Sequence, residues 1–135
     1  MKWFDRSSFT LLERSLNAAS LRQNVIANNI ANTDTPNYKR SEVVFEQLLQ
    51  KEMQGKYIPI TRTHANHLPL QRGMDEIQPK VVQDHAETAM NNNGNNVDID
   101  KEMAMLAENQ LYYNLLVQQT SHEFHMLRTS IGGSV

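Results

Sequence analysis

Residues 99–131 read IDKEMAMLAENQLYYNLLVQQTSHEFHMLRTSI. Within this run Ile99, Met103, Leu106, Gln110, Tyr113, Val117, Thr120, Phe124, Leu127 and Ile131 recur at alternating steps of four and three. Such spacing lines one face of a helix, and the apolar character of most of these positions predicts that the face is covered. Asp98 and Asp100 stand where carboxylates favour a helix N-terminus, and Gly132-Gly133 tolerate a left-handed cap. The prediction is a helix over residues 98 to 131, on the order of 50 Å long.

Working outward, the same rhythm reappears near the N-terminus in Phe9, Leu12, Leu16, Ala19, Gln23, Ile26 and Ile30. Ser7, Ser8 and Thr10 offer N-cap oxygens, Thr10 and Glu13 have capping-box spacing, and Pro36 pushes Thr35 out of the α region. A second helix is therefore predicted over residues 8 to 32. Both apolar seams repeat every seven residues, which implies left-handed supercoiling against partner helices.

Between the helices lies a segment of different character. A short apolar cluster, Val43, Val44, Phe45, Leu48, Leu49 and Met53, predicts a short helix before Gly55. Tyr57-Ile58-Pro59-Ile60 and Lys80-Val81-Val82 read as strands that can pair, with the prolines confining them to edges. The tract from Asn91 to Asn96 around Gly94 is all turn chemistry and predicts a loop. The expected fold is mainly α: two long terminal helices forming a coiled-coil-like pair around a small irregular middle with some β structure. The expected divisions are residues 1–38, 39–97 and 98–135.

Composition narrows the function. The 135 residues are 39% hydrophobic and 7% aromatic, enough for one modest domain. A formal charge of −2 gives no basic footprint for nucleic acid. With no cysteine, thiolate metal sites, iron–sulfur clusters and thiol nucleophiles are excluded. Met1 to Arg6 meets charge before any apolar core can form, so neither a signal peptide nor a membrane span is expected.

No pattern of catalytic residues stands out. His122 and His125 are three apart, whereas the zinc-protease helix motif needs histidines four apart flanking Glu-x-x. His64 and His67 share that shortfall. The Asn91–Asp100 stretch imitates a calcium loop but has Ala89 where the first carboxylate belongs. No enzyme, metal or cofactor is expected. The unusual feature is amide: fourteen asparagines, among them Asn28, Asn29 and Asn32 at one helix end, although asparagine is a poor helix former. Their expected role is to hydrogen-bond neighbouring chains and fix axial register, as buried amides do in coiled coils. Gln23 and Gln110, each interrupting an apolar seam, fit the same part. Leu111 and Leu115 lie outside the long C-terminal seam and leave a second apolar flank for other subunits.

The run Val25-Ile26-Ala27-Asn28-Asn29-Ile30-Ala31-Asn32-Thr33-Asp34-Thr35-Pro36-Asn37-Tyr38 resembles the N-terminal signature of bacterial flagellar rod and hook proteins. Asn95-Asn96-Val97-Asp98-Ile99-Asp100-Lys101-Glu102-Met103, followed by Ala107-Glu108-Asn109 and Tyr113, is similar to the other signature of that family. Small size, a minimal middle and Arg62-Thr63-His64 before Leu68 resemble the proximal rod members. The resemblance implies a structural subunit of the flagellar basal body, in the cell envelope outside the inner membrane. It would join the membrane ring to the drive shaft and carry torque. It further implies export through the flagellar type III apparatus without cleavage, and terminal helices packed with copies and other rod proteins into concentric tubes. Two positions depart from the family pattern: Asn93 precedes Gly94 where aspartate is usual, and Asn37 follows Pro36 where glycine is frequent.

The expected assembly positions are Leu12, Leu16, Ala19, Gln23, Ile26, Asn28, Asn29, Ile30, Asn32, Pro36 and Tyr38 at the N-terminal end. At the C-terminal end they are Val97, Ile99, Met103, Leu106, Gln110, Tyr113, Val117, Phe124 and Leu127. The competing expectation from the seams alone is a soluble helical adaptor or chaperone that forms a closed dimer.

Overall fold

The computed structural model describes residues 6–54, 78–83 and 94–132. Helix α1 spans Arg6–Ala31, strand β1 Ser41–Val44, helix α2 Glu46–Gln54, strand β2 Lys80–Gln83 and helix α3 Ile99–Gly132. The mainly α fold with two long terminal helices and a small two-stranded sheet is the one the periodicity predicts. Helix α1 begins at Arg6, so Ser7, Ser8 and Thr10 lie inside its first turns instead of capping it. At α3 the cap is as expected: Asp98 Oδ1 accepts from the N–H groups of Asp100 and Lys101 at 3.1 and 3.3 Å.

Helices α1 and α3 run antiparallel. Asn29 meets Glu102 near one end, Asn109 reaches the Ala19 carbonyl midway, and the Phe9 and Phe124 rings lie 5.5 Å apart at the far end. Small residues permit the close approach: Ser15, Ala18 and Ala19 are all buried along α1. On the groove side of the pair Phe45 is buried against Ala18, with Leu48 and Leu49 of α2 packed around it. Arg22 of α1 also grips Glu46 at the start of α2 at 2.6 and 2.7 Å.

The inward face of each helix differs from the predicted seam by half. On α1, Leu12, Ala19 and Ile26 face inward as expected, but they alternate with Ser15, Arg22 and Asn29 in place of Leu16, Gln23 and Ile30. On α3, Leu106, Tyr113, Thr120 and Leu127 keep their places, but Glu102, Asn109 and Leu116 replace Met103, Gln110 and Val117. In both helices the displaced half has moved one residue towards the N-terminus, a rotation of about 100° at those positions. The reason is chemical. Small and polar side chains let the backbones approach and then hydrogen-bond one another, and this leaves the bulkier apolar set outside.

In the middle segment Val43 and Val44 belong to β1, not to a helix, and α2 starts only at Glu46. Strand β1 pairs antiparallel with β2, Val43 opposite Val81 and Glu42 opposite Val82. The expected partner strand at Tyr57–Ile60 lies outside the described residues, as do His64 and His67. No described helix is long and apolar enough to cross a membrane.

Candidate functional site: the amide clasp and the open flanks

The two signature segments meet each other. Asn29, buried in the last turns of α1, places its carboxamide beside the start of β1. Its Oδ1 accepts from the Ser41 N–H at 3.0 Å and the Tyr38 hydroxyl at 3.2 Å, and its Nδ2 donates to the Ser41 carbonyl at 2.8 Å and Glu102 Oε2 at 3.1 Å. Every hydrogen-bonding position of that amide is filled within the chain. The Asn91–Asn96 tract contributes next. Asn95 Nδ2 reaches the carbonyls of Asn32, Thr33 and Thr35 at 2.8–3.1 Å, pinning the turn that follows α1. Its Oδ1 accepts from the Val97 N–H at 2.6 Å. Asn96 Oδ1 accepts from the Arg40 N–H at 2.7 Å.

Arg40 and Glu102 complete the clasp. Arg40 Nε donates to Glu102 Oε1, Nη1 to Glu42 Oε2 at 3.0 Å, and Nη2 approaches the Met105 sulfur at 3.2 Å. The Glu102 side chain is fully buried. Burial opposes the charge on Arg40, but the hydrogen bonds it donates to Glu102 and Glu42, with the attraction of those carboxylates, outweigh it and hold its proton more tightly than usual. The loops are fitted around the clasp: Lys39 Nζ donates to the Gly94 carbonyl at 3.2 Å, Gly94 has φ +77°, and Asn37 has φ 60°. A left-handed asparagine after Pro36 makes the turn without a glycine.

The expected assembly residues thus divide. Ala19, Ile26, Asn29 and Val97 are buried inside the chain, and Asn29 makes its bonds to Ser41, Tyr38 and Glu102 where contact with neighbouring chains was expected. Leu12, Leu106, Tyr113 and Leu127 are half-buried in the α1–α3 seam. Asn28 and Pro36 are exposed, while Asn32 and Tyr38 are half-buried at the turn. Half-buried Leu16 and Ile30 with exposed Gln23 on α1, and exposed Ile99, Met103, Gln110, Val117 and Phe124 on α3, lie along one outer flank. Helical periodicity and the Phe9–Phe124 contact place both sets on the same side of the pair.

Sequence reasoning did not single out Arg40, and it read Asn95 and Asn96 as part of a loop and, with Glu102, as part of the C-terminal signature without assigning them a bond. One signal was available: Glu102 and Asn109 are seven apart, a polar heptad position running beside the apolar one.

Apolar surface remains open in quantity. Leu111 is 72% exposed, Leu115 and Phe124 59%, Met103 53% and Val117 44%. Among the described residues no group of three or more acidic or histidine side chains is placed to hold a metal, and His122 and His125 are exposed. The chain spends its Asn29, Arg40, Asn95 and Glu102 side chains on itself and leaves a second set of apolar side chains on α3 facing outward.

Known proteins agree. Residues 12–39 match the family model described as flagella basal body rod protein. The chain is 41% identical over 129 residues to the flagellar basal body rod protein FlgB of Borreliella burgdorferi, covering 92% of this chain and 94% of that one. It is 39% identical to FlgB of Bacillus subtilis, covering 90% and 91%, and 32% identical to FlgB of Escherichia coli, covering 81% of each. The chain belongs to the FlgB family of flagellar rod proteins. It is a structural protein of the basal-body rod and not an enzyme. The matched residues 12–39 contain the inward face of α1, the Asn29 amide and the turn that Asn95 caps, so the family model covers the half of the clasp contributed by α1 and the segment leading to β1.

Proposed function

We propose that this chain forms the proximal part of the rod, where it joins the membrane ring to the drive shaft and passes on torque through helices packed between subunits. The observation that carries the reading is the pair of uncovered apolar surfaces on α3, one holding Met103, Val117 and Phe124 and the other Leu111 and Leu115. Ordinary monomers expose apolar side chains singly, whereas contiguous patches of this kind mark interaction surfaces. Packed helices suit a shaft because close-packed interiors hardly compress under load. The outer-flank residues Leu16, Gln23, Ile30, Ile99, Met103, Gln110, Val117 and Phe124 are the assembly positions in this reading, while Asn29, Arg40, Asn95 and Glu102 fix the shape of each subunit. The partners are further copies, other rod proteins and the membrane-ring junction. The route out of the cell is the type III export apparatus, and the final location is the envelope outside the inner membrane.

The test is complementation. A tagged chain is expressed in cells of its own species lacking the native copy, and basal bodies are isolated. Recovery of the tag in rod-bearing basal bodies, with restored swimming, supports the reading. A tag that stays in the cytoplasm as a discrete dimer overturns it in favour of a soluble adaptor.

A further inference from the structure

Leu111 and Leu115 open onto a groove of about 640 Å³ between α1, β1 and α3, whose walls include Val25, Val43, Phe45 and Tyr112. Its polar groups are lopsided. The two guanidinium groups that line it are engaged, Arg22 with Glu46 and Arg40 with Glu102 and Glu42. Glu108 lines it too, is exposed, and has no hydrogen-bond or ion-pair partner among the described residues. Asn109 beside it lacks a donor for its Oδ1. The unmet charge of the groove is therefore negative, and the unmet position on Asn109 is an acceptor. We infer that this groove seats a helix of a different protein, one that presents an apolar stripe flanked by lysine or arginine, with the cation held by Glu108. The inference rests on the rod reading for where such a partner is met, and it names the chemistry that recognises the partner.

The shape calls for a helix. Met105, Glu108, Tyr112 and Leu115 line the groove at steps of three, four and three along α3, a row about 15 Å long. A second helix packs against a row of that spacing with its own side chains at matching steps. An added strand has less to hold, because at Ser41 the N–H and carbonyl of β1 are both taken by Asn29. The charge calls for a cation. Glu108 and Tyr112 stand one turn apart in the row, so an ammonium or guanidinium group seated there meets a carboxylate and an aromatic ring together. That cation does not come from the outer flank of another copy. Between Leu16 and Ile30 the one basic side chain is Arg22, which is turned to Glu46, and between Met103 and Phe124 the chain has neither lysine nor arginine. A partner of different sequence supplies what this chain lacks.

The experiment titrates the full-length chain into dye-labelled helical peptides of about 14 residues, one with leucines along one face and lysines beside them, the other with glutamate in place of each lysine. Fluorescence anisotropy reads the binding. The lysine peptide is expected to bind the parent at least about tenfold more tightly than the glutamate peptide, and the preference is expected to shrink as salt rises. Glu108→Lys, at an exposed position and checked for folding by circular dichroism, is expected to remove that preference. Leu111→Ser is expected to weaken both peptides, whereas Val117→Ser, on the other apolar surface, leaves both unchanged. A lysine peptide that does not bind, a lysine preference that survives Glu108→Lys, or a loss on Val117→Ser equal to that on Leu111→Ser overturns the proposal. Self-association of the parent that blocks the peptide also overturns it, and puts a second copy in the groove. Each of these failures is distinct from failure of the rod reading, which is scored separately by incorporation of the unaltered chain into basal bodies.

Discussion

Asn29 and Ser41 pair as if across a β-ladder: the Asn29 carboxamide takes the Ser41 N–H at 3.0 Å and gives to the Ser41 carbonyl at 2.8 Å. A side chain on a helix thereby supplies to the first residue of β1 what a neighbouring strand supplies elsewhere. Strand β1 is held on one side by β2 and at its start by this amide. No other side chain of similar length presents one donor and one acceptor in that geometry.

Replacing Asn29 is expected to be costly in a graded way. Asn29→Ala leaves the Ser41 N–H and carbonyl and one Glu102 oxygen without their partner, a loss of at least about 3 kcal/mol if each orphaned buried group costs about 1–3. Asn29→Asp is expected to be worse at neutral pH, because a carboxylate cannot donate to the Ser41 carbonyl and stands 3.1 Å from Glu102. Urea denaturation followed by circular dichroism measures both. An Asp variant as stable as the parent contradicts the assignment of donor and acceptor.

Arg40 and Glu102 make a second prediction, with its pH dependence. Glu102→Gln keeps the shape and strips the charge, leaving the guanidinium short of its buried counter-charge, so a loss of about 3–5 kcal/mol is expected. The paired change Arg40→Met with Glu102→Leu is expected to recover part of it, since neither charge is then buried while one Asn29 Nδ2 hydrogen loses its acceptor. The Arg40 proton is held more tightly in the folded chain than in the unfolded one. Its contribution is therefore complete below the unfolded value and lost only as pH climbs through the still higher folded value. Thermal unfolding of the parent should show no loss attributable to Arg40 between about pH 7 and pH 10.

Gly94 and Asn37 are coupled through space. A Cβ on Gly94 would stand 2.7 Å from Asn37 Oδ1, and the +77° φ adds strain for any other residue. Gly94→Ala is expected to cost about 1–3 kcal/mol. Asn37→Gly removes the clashing oxygen and suits a φ of 60°, so it is expected to be tolerated within about 1 kcal/mol on its own and to return part of the Gly94→Ala loss. The four proteins of this double-mutant cycle, compared by denaturant midpoint, give the coupling directly. Strict additivity contradicts the contact.

These clasp residues show where the sequence was readable and where it was not. Hydrophobic periodicity located both long helices to within two residues at each end, because a heptad sustained over several turns is hard to mistake. It also found the shared half of each seam, including Leu12, Ala19 and Ile26 on α1 and Leu106 and Tyr113 on α3. The other half of each seam faces outward, because small and polar residues take its place between the two helices. Here Asn29, Glu102 and Asn109 are buried, and the positions beside them, Ile30, Met103 and Gln110, are not. A polar residue is buried only if a partner is present, and the partners lie 9 to 90 residues away, beyond the reach of any helical periodicity. The same distance hid the pairing of β1 with β2 across the intervening chain.

Surface and seam can be told apart by mutation. Met103→Asp and Val117→Asp alter exposed side chains, so each is expected to change stability by no more than about 0.5–1 kcal/mol while reducing incorporation into basal bodies severely. Leu106→Asp, in the half-buried seam against α1, is expected to cost several kcal/mol and to fail by unfolding before assembly is at issue. Circular dichroism on the purified variants separates the two modes of failure. Outer-flank variants that incorporate normally would refute the assignment of that flank to assembly.

Asn109 offers the sharpest contrast with Asn29, because both amides are buried in the α1–α3 seam but only one is fully used. Asn109 Nδ2 donates to the Ala19 carbonyl at 2.9 Å, whereas Oδ1 receives no hydrogen bond among the described residues. The bond is worth about 1 kcal/mol, and the unmatched oxygen costs a similar amount or more. The Ala19 carbonyl keeps its helical partner when the amide is removed, so nothing new is orphaned. Asn109→Leu, close in volume and freed of the unmatched acceptor, is therefore expected to lie between neutral and about 1 kcal/mol more stable. Asn29→Leu, which abandons the Ser41 and Glu102 groups, is expected to lose several. If the two substitutions proved equally damaging, burial of an amide would outweigh its hydrogen-bond count, and the clasp would owe its stability to packing.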